Sequence, residues 1–226
     1  MNLRNVYVVG GIVIALQLVV AAWGLFQVGP DATVPIHWDV NGEADGYAPA
    51  IVAFLLGPAI TAGLVGLLAV VPRIEPRREN LRRSASAYRT TVLAVTVFMG
   101  VLQLVTVMAG VGMDVPVGGI IAAGVGIVIA IIGNVMTTVR STFMFGVRTP
   151  WTLTSERSWD RTNRLVGRLF VATGLVMILL SFTGRLALVI GVMLVMLLAS
   201  VVGGFIYSYR VWKGDPDRRT SVVDSA

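Results

Sequence analysis

Cysteine is absent from the 226 residues, histidine occurs once, as His37, and lysine once, as Lys213. Without cysteine the chain can form no disulfide, thiolate zinc site, cysteine nucleophile or iron–sulfur cluster. Charge is scarce too. Charged residues make up 13% and hydrophobic residues 56%, with a mean hydropathy of +0.82, where a soluble domain carries roughly 25% charged and 45–50% apolar residues. There is too little charge to cover a soluble surface. The apolar residues fall in blocks of about twenty, the length that lets a helix cross a hydrocarbon core about 30 Å thick. The chain reads as an all-α integral membrane protein.

Six blocks can be marked, at residues 6–26, 51–71, 91–111, 117–139, 169–182 and 186–209. The fifth is short for a span. Ser155 is a suitable N-cap with Glu156 and Asp160 in the following turns, and no proline interrupts the chain from there to Phe182, so the fifth helix is expected to start at the cap. Over that stretch it would be about 42 Å long, with its first turns outside the lipid. The block order suggests a two-span module over 1–72, an arginine-rich linker over 73–90, a four-span domain over 91–212 and a disordered tail over 213–226.

The net charge is +6, and orientation follows from where the arginines lie. With the N-terminus inside, 17 of the 18 basic residues lie on the cytoplasmic side and only Arg185 lies outside. That partition predicts six transmembrane helices with both termini cytoplasmic in the cell membrane. The first block begins too close to Met1 for a cleavable signal and reads as a retained span. The arginines flank apolar blocks and form no separate basic domain, so the partner they imply is the lipid bilayer, with no direct contact to nucleic acid.

No ionisable residue lies deep inside a block, which weighs against a proton-coupled pump. Gln17 and Gln103 sit mid-span, where hydrogen bonds between helices are their expected use. Glycines at Gly10, Gly11, Gly57, Gly63, Gly66, Gly124, Gly126, Gly133 and Gly203 suggest close helix packing. There is no HExxH, no carboxylate pair within a span and no plausible Ser, His and acid set, so no enzymatic activity is expected. Nor is a cofactor.

Two polar stretches remain. The outer one, VPIHWDVNGEADGYAP, has Pro35, His37, Trp38, Asn41, Gly42, Asp45, Gly46 and Tyr47 at its core. Alternation at Val34, Ile36 and Trp38 followed by Asn41-Gly42 predicts an extended stretch entering a tight turn, where glycine supplies a positive φ. His37 with Asp39, Glu43 and Asp45 would make a poor metal site, since one imidazole is its only nitrogen ligand; a hydrogen-bonded, structural histidine is expected.

The inner stretch runs from Asn134 and Arg140 through GVRTPWT to the proposed fifth helix. Gly146 frees the chain to turn and Pro150 disfavours helical geometry at Thr149, so the stretch cannot be one regular helix. Trp151 is expected at the membrane interface. Arg148, beside this turn, is expected to hold a fixed aim towards a carboxylate, a phosphate or backbone carbonyls. Beyond it, Arg157, Arg161, Arg164 and Arg168 fall on one helical stripe. Trp159, Thr162, Asn163, Val166 and Phe170 fall opposite, so the tryptophan face should rest on the bundle. The basic face should meet lipid phosphates or an acidic partner.

The outer PxHWxxxGxxDGY pattern, the GN near the end of the fourth block and GVRTPWTLTSERSWDRTNR together resemble the SdpI-type immunity protein family with its N-terminal module of unknown function. The resemblance covers both polar stretches and the order of spans. It implies motif roles for Pro35, His37, Gly42, Asp45, Asn134, Gly146, Arg148, Thr149, Pro150, Trp151, Thr152, Trp159 and Arg164. Two positions depart from the family pattern: Thr142 stands where the family often has Asn, and Asn163 where it often has His, which removes the group that would titrate. By family, the implied function is immunity to, or sensing of, a secreted membrane-active peptide toxin. The implied partners are the toxin outside and a small cytoplasmic repressor held at the membrane. A small transporter or channel for an ion, lipid or peptide is the other reading.

Overall fold

The structure is a computed structural model that describes residues 2–218. Six of its helices are long and apolar enough to cross a membrane. They are α1 (Arg4–Val28), α2 (Ala50–Ile74), α4 (Ala85–Gly110), α5 (Val117–Met136), α7 (Glu156–Ser181) and α8 (Leu186–Lys213); α3 (Arg78–Arg83) and α6 (Pro150–Leu153) are short, and β1 (Thr33–Trp38) and β2 (Ala44–Pro49) form one hairpin. The chain is a multi-pass cell membrane protein. Large side chains such as Phe26, Leu179 and Phe182 stand exposed on the spans, as lipid-facing residues do when the surrounding solvent is itself apolar.

The hairpin lies at one end of the bundle and most of the arginines at the other. Val34 of β1 is buried among Ala21, Ala50, Ala53, Phe54 and Val107, which seats the hairpin on α1, α2 and α4. Gln17 and Gln103 behave as their mid-span positions suggest. Gln17 Nε2 donates to Thr61 Oγ1 at 3.0 Å and to the Met99 carbonyl at 2.9 Å, and Gln103 Nε2 donates to the Phe54 carbonyl at 2.8 Å. These bonds tie α1, α2 and α4 into one unit.

In the other half, α5 runs antiparallel to α7 with backbones in contact. A Cβ built on Gly133 would lie 2.5 Å from the Gly167 carbonyl oxygen, one built on Gly167 would lie 2.5 Å from that of Gly133, and Gly126 and Gly174 repeat the arrangement two turns away. Only small residues permit such an approach. Gly167 and Gly174 carry half of this contact and were not among the glycines the sequence singled out. Conversely, Gly11, Gly63, Gly66 and Gly203 have nothing within 4 Å of a built Cβ, so close packing does not explain them.

Several boundaries differ from those the sequence suggests. The fourth span stops at Met136, and Thr137 and Thr138 turn back on it through hydroxyl bonds to the Asn134 and Val135 carbonyls. The 73–90 linker is largely helical, because α2 continues through Pro72 to Ile74, α3 follows, and α4 begins at Ala85. Lys213 closes α8, and Asp215, placed by sequence in a disordered tail, is buried with 4% of its surface exposed. The remainder of that tail, residues 219–226, lies outside the described residues.

Candidate functional site

The polar stretches build two sites at opposite ends of the bundle. In the hairpin, β1 and β2 pair antiparallel with Thr33 opposite Pro49, Pro35 opposite Tyr47 and His37 opposite Gly46, with irregularities on either side of His37. Between the strands, the Asp39 amide donates to the Glu43 carbonyl and the Gly42 amide to the Asp39 carbonyl, with Gly42 at φ 86°. This is a three-residue hairpin loop closed by a left-handed glycine. Asn41 sits inside the turn. The Asp39 carboxylate organises the loop, accepting the Asn41 amide at 2.8 Å, the Glu43 amide at 2.9 Å and Asn41 Nδ2 at 3.0 Å. The bond from the Glu43 amide is the main cause that holds the Asp39 carboxyl below its ordinary range.

His37 Nδ1 donates to Asp45 Oδ1 at 2.5 Å, an exposed cross-strand pair. Asp39 thus serves the turn, and Asp45 serves His37. A Cβ on Gly46 would lie 2.8 Å from His37 Cβ, so glycine is needed opposite the histidine. Pro35 and Trp38 are half-buried, and Tyr47, exposed, donates its hydroxyl to the Ala44 carbonyl.

At the opposite end, the chain between α5 and α6 forms a loop fixed by side chains from the stretch between α2 and α4 and from α7. Glu75, immediately after α2, is fully buried. Its carboxylate accepts the Phe143 amide at 2.9 Å, the Met144 amide at 2.8 Å and the Arg77 amide at 3.0 Å. Three backbone donors on one carboxylate make an anion cradle whose bonds are charge-assisted. Arg77 completes the clamp: Nη1 donates to Ser141 Oγ, Nη2 donates to the Leu153 carbonyl at 2.9 Å, and the guanidinium lies 4.9 Å from the centre of the Phe143 ring. Asn80 Nδ2 donates to the Ser141 carbonyl, and Ser84 Oγ accepts the Arg140 amide. None of Glu75, Arg77, Asn80 or Ser84 was picked out from the sequence. The available signal was an acid followed by proline, in a mostly basic run at the end of a span.

The loop's other edge is held by α7. Asn163 Oδ1 accepts the Val147 amide at 2.8 Å and its Nδ2 donates to the Trp159 carbonyl, while Trp159 Nε1 donates to the Val139 carbonyl at 2.7 Å. Gly146 turns at φ 114° against the Trp159 ring, where a Cβ would lie 2.7 Å from Cζ2. Thr142 Oγ1 donates to the Phe145 carbonyl at 2.5 Å. Thr149 is extended, as the residue before a proline should be. It caps α6 reciprocally with Thr152, with Pro150 in the first helical turn. Thr149 Oγ1 also donates to Ser208 Oγ at 3.1 Å, and Ser158 Oγ donates to the Ser208 carbonyl at 2.8 Å, which anchors the segment to α8. Trp151 rests edge-on against Phe205, 4.7 Å between centres, and beside Tyr209.

Ser155 caps α7 as its sequence context suggests, accepting the Ser158 amide at 2.9 Å, and donates to Asp215 Oδ2 at 2.5 Å. The tryptophan face is inward, with Trp159, Thr162, Asn163 and Val166 buried, and Arg157, Arg161, Arg164 and Arg168 are exposed. Arg148 is exposed and donates through Nη1 to the Phe143 carbonyl at 2.5 Å. It therefore braces its own loop and, among the described residues, meets neither a carboxylate nor a helix end. Asn134 and the Arg140 side chain are exposed and take no part in the clamp.

Both regions have counterparts in known proteins. The model of the SdpI/YfhL protein family matches residues 138–208, from the start of the clamped loop into α8. That of a domain of unknown function, DUF1648, matches residues 12–62, which include the hairpin. The immunity protein SdpI of Bacillus subtilis (strain 168) is 29% identical over 190 residues, 84% of this chain and 87% of that protein. No solved structure matches.

Proposed function

We propose that the chain is a member of the SdpI/YfhL protein family, which it resembles, and that it gives its cell resistance to, or senses, a secreted membrane-active peptide toxin without enzymatic chemistry. The observation that carries this reading is the match to an immunity protein over 84% of the chain. In the proposed arrangement both termini and the clamped loop are cytoplasmic, the hairpin faces outside, and the chain divides into the hairpin-bearing module, the linker and the four-span domain. The arginine distribution supports that orientation. The hairpin offers the toxin a firm surface, because β1 is seated on the bundle through Val34. Helix α2 joins the two sites, since β2 leads directly into it and Glu75 at its far end grips Phe143 and Met144. A toxin contact outside thereby bears on the loop that would hold a cytoplasmic repressor.

The test is survival of a toxin-sensitive host. Cells expressing the chain should withstand a challenge that kills cells with empty vector, at membrane levels verified by immunoblot. Equal killing at matched levels would overturn the reading. Substrate flux in protein-loaded liposomes would favour a transporter or channel instead.

A further inference from the structure

The exposed face of α7 changes character along its length. Arg157, Arg161, Arg164, Arg168, Ala172, Leu175 and Leu179 follow one another at spacings of three and four, all exposed, and Phe182 continues the line just past the helix end. One stripe is therefore basic in its first half and apolar in its second. From Arg168 to Phe182 the apolar half extends only about 21 Å, at about 1.5 Å per residue, and Arg185 marks the interface beyond it. A hydrocarbon core is about 30 Å thick. The apolar half is too short to cross it, so Arg168 stands at hydrocarbon depth on the lipid side of the bundle, with Arg164 one turn further out at the hydrocarbon edge.

A second relation gives the same depth. Gly133 of α5 touches Gly167 of α7, and α5 ends three residues later at Met136. Arg168 is thus about one turn inside the apolar part of its neighbour and Arg164 is level with its end. No ion pair holds these guanidinium groups, Asp160 one turn before Arg164 included: among the described residues, ion pairs form between His37 and Asp45 and between Glu79 and Arg82 or Arg83. Arg161, Arg164 and Arg168 likewise make no hydrogen bond there, while Arg157 reaches only the Gly214 carbonyl, at 3.4 Å. A charge facing hydrocarbon is costly unless its stem lets it snorkel to an anion.

We propose that Arg164 and Arg168 form a binding site for the headgroup of an anionic phospholipid, drawn towards the bundle so that its phosphate meets the two guanidinium groups beside α7. The planar fork of arginine suits a phosphodiester. Depth selects the ligand: an acidic protein approaching from the aqueous side can reach Arg157 and Arg161, whereas Arg168 is accessible to lipid. The site does not depend on the toxin reading. The local bilayer thins at α7, because headgroups there sit about one helical turn lower.

The test is native mass spectrometry of the full chain released from detergent micelles containing equal amounts of dioleoylphosphatidylglycerol and dioleoylphosphatidylcholine. The wild type should retain the anionic lipid preferentially. Arg164→Gln/Arg168→Gln should lose that preference, roughly fivefold per arginine removed, and Arg157→Gln should keep most of it. Arg168→Gln alone, the milder change, should lower the ratio in the same direction and serves if the double variant does not purify. Equal retention of the two lipids by the wild type, or an unchanged ratio in the variants, overturns the site. So does displacement of the bound lipid by millimolar inorganic phosphate or by polyglutamate, which would identify a site open to water and to acidic proteins.

Discussion

Glu75 and Met144, far apart in sequence, are joined at the basic end of the bundle by a 2.8 Å bond from the Met144 amide to the Glu75 carboxylate. The Phe143 and Arg77 amides converge on the same group. A loop without regular secondary structure is thereby held by one buried acid at the end of a membrane helix.

Removing that acid should release the loop. Glu75→Ala leaves three amide donors without their acceptor, at about 1–3 kcal/mol for each that stays buried. Glu75→Gln places an NH2 among donors and should recover little. Limited proteolysis in detergent should show new cleavage within residues 141–149 in both variants, together with a lower unfolding temperature. Wild-type resistance in Glu75→Ala would show that the clamp does not hold the loop.

Arg148 makes a single bond to one carbonyl from an exposed position, a contact an ammonium can also form. Arg148→Lys should therefore retain most of the resistance and Arg148→Ala should lose part of it, with survival scored at matched membrane levels. Arg157→Lys should protect as the wild type does. If Arg148→Lys fails as badly as Arg148→Ala, the planar guanidinium is needed for more than the Phe143 carbonyl.

Gly167→Ala should disrupt the membrane domain, because its methyl group would meet the Gly133 carbonyl oxygen, a backbone atom, at 2.5 Å. Overpacking of this kind costs about 1–3 kcal/mol or more. Gly11→Ala, with open space around the new methyl, should be neutral or stabilising by about 0.5–1 kcal/mol. Thermal unfolding monitored by size-exclusion chromatography in detergent compares the two; equal melting of Gly167→Ala and the wild type would contradict the backbone contact.

The hairpin turn should weaken in acid. Asp39 titrates below its ordinary 3.8 in the folded turn, so its contribution to stability is complete above that ordinary value and is lost as pH falls through the folded value. Amide exchange at Asn41 and Glu43, corrected for intrinsic rates and read by NMR, should show protection that is flat near neutrality and falls only in that acid range. Asp39→Ala should show reduced protection throughout.

The proposed orientation can be read by labelling, helped by the lack of native cysteine. Ala44→Cys should react with an impermeant maleimide in intact cells and Ser86→Cys only after lysis. The reverse pattern would invert the topology.

Much of this architecture is legible from local pattern. The spans, the cap at Ser155, the extended entry to the Asn41-Gly42 turn and the division of α7 between its tryptophan and arginine faces each depend on neighbours within a few residues. The clamp was not legible, because Glu75 gains its meaning from Phe143 and Met144, which only the packing of α2 beside the α5–α6 loop brings near. The same holds for Gly167 and Gly174, whose small size matters only opposite Gly133 and Gly126. Helix ends at Met136 and Ile74 escaped for another reason: Thr137 and Thr138 end α5 by hydrogen bonding before the apolar run stops at Val139, and α2 carries Pro72 and Arg73, which read as a stop, within its last turn.

The pairing of Ser155 with Asp215 bears on how the protein should be handled. A reporter or purification handle joined directly after Lys213 would delete the carboxylate that receives the Ser155 hydroxyl and leave the start of α7 with one fewer tie to the end of α8. Joined beyond Arg218, the same handle keeps that tie intact. Fluorescence or pull-down measurements made with the shorter fusion would report on a protein whose loop anchorage had already been altered by the tag.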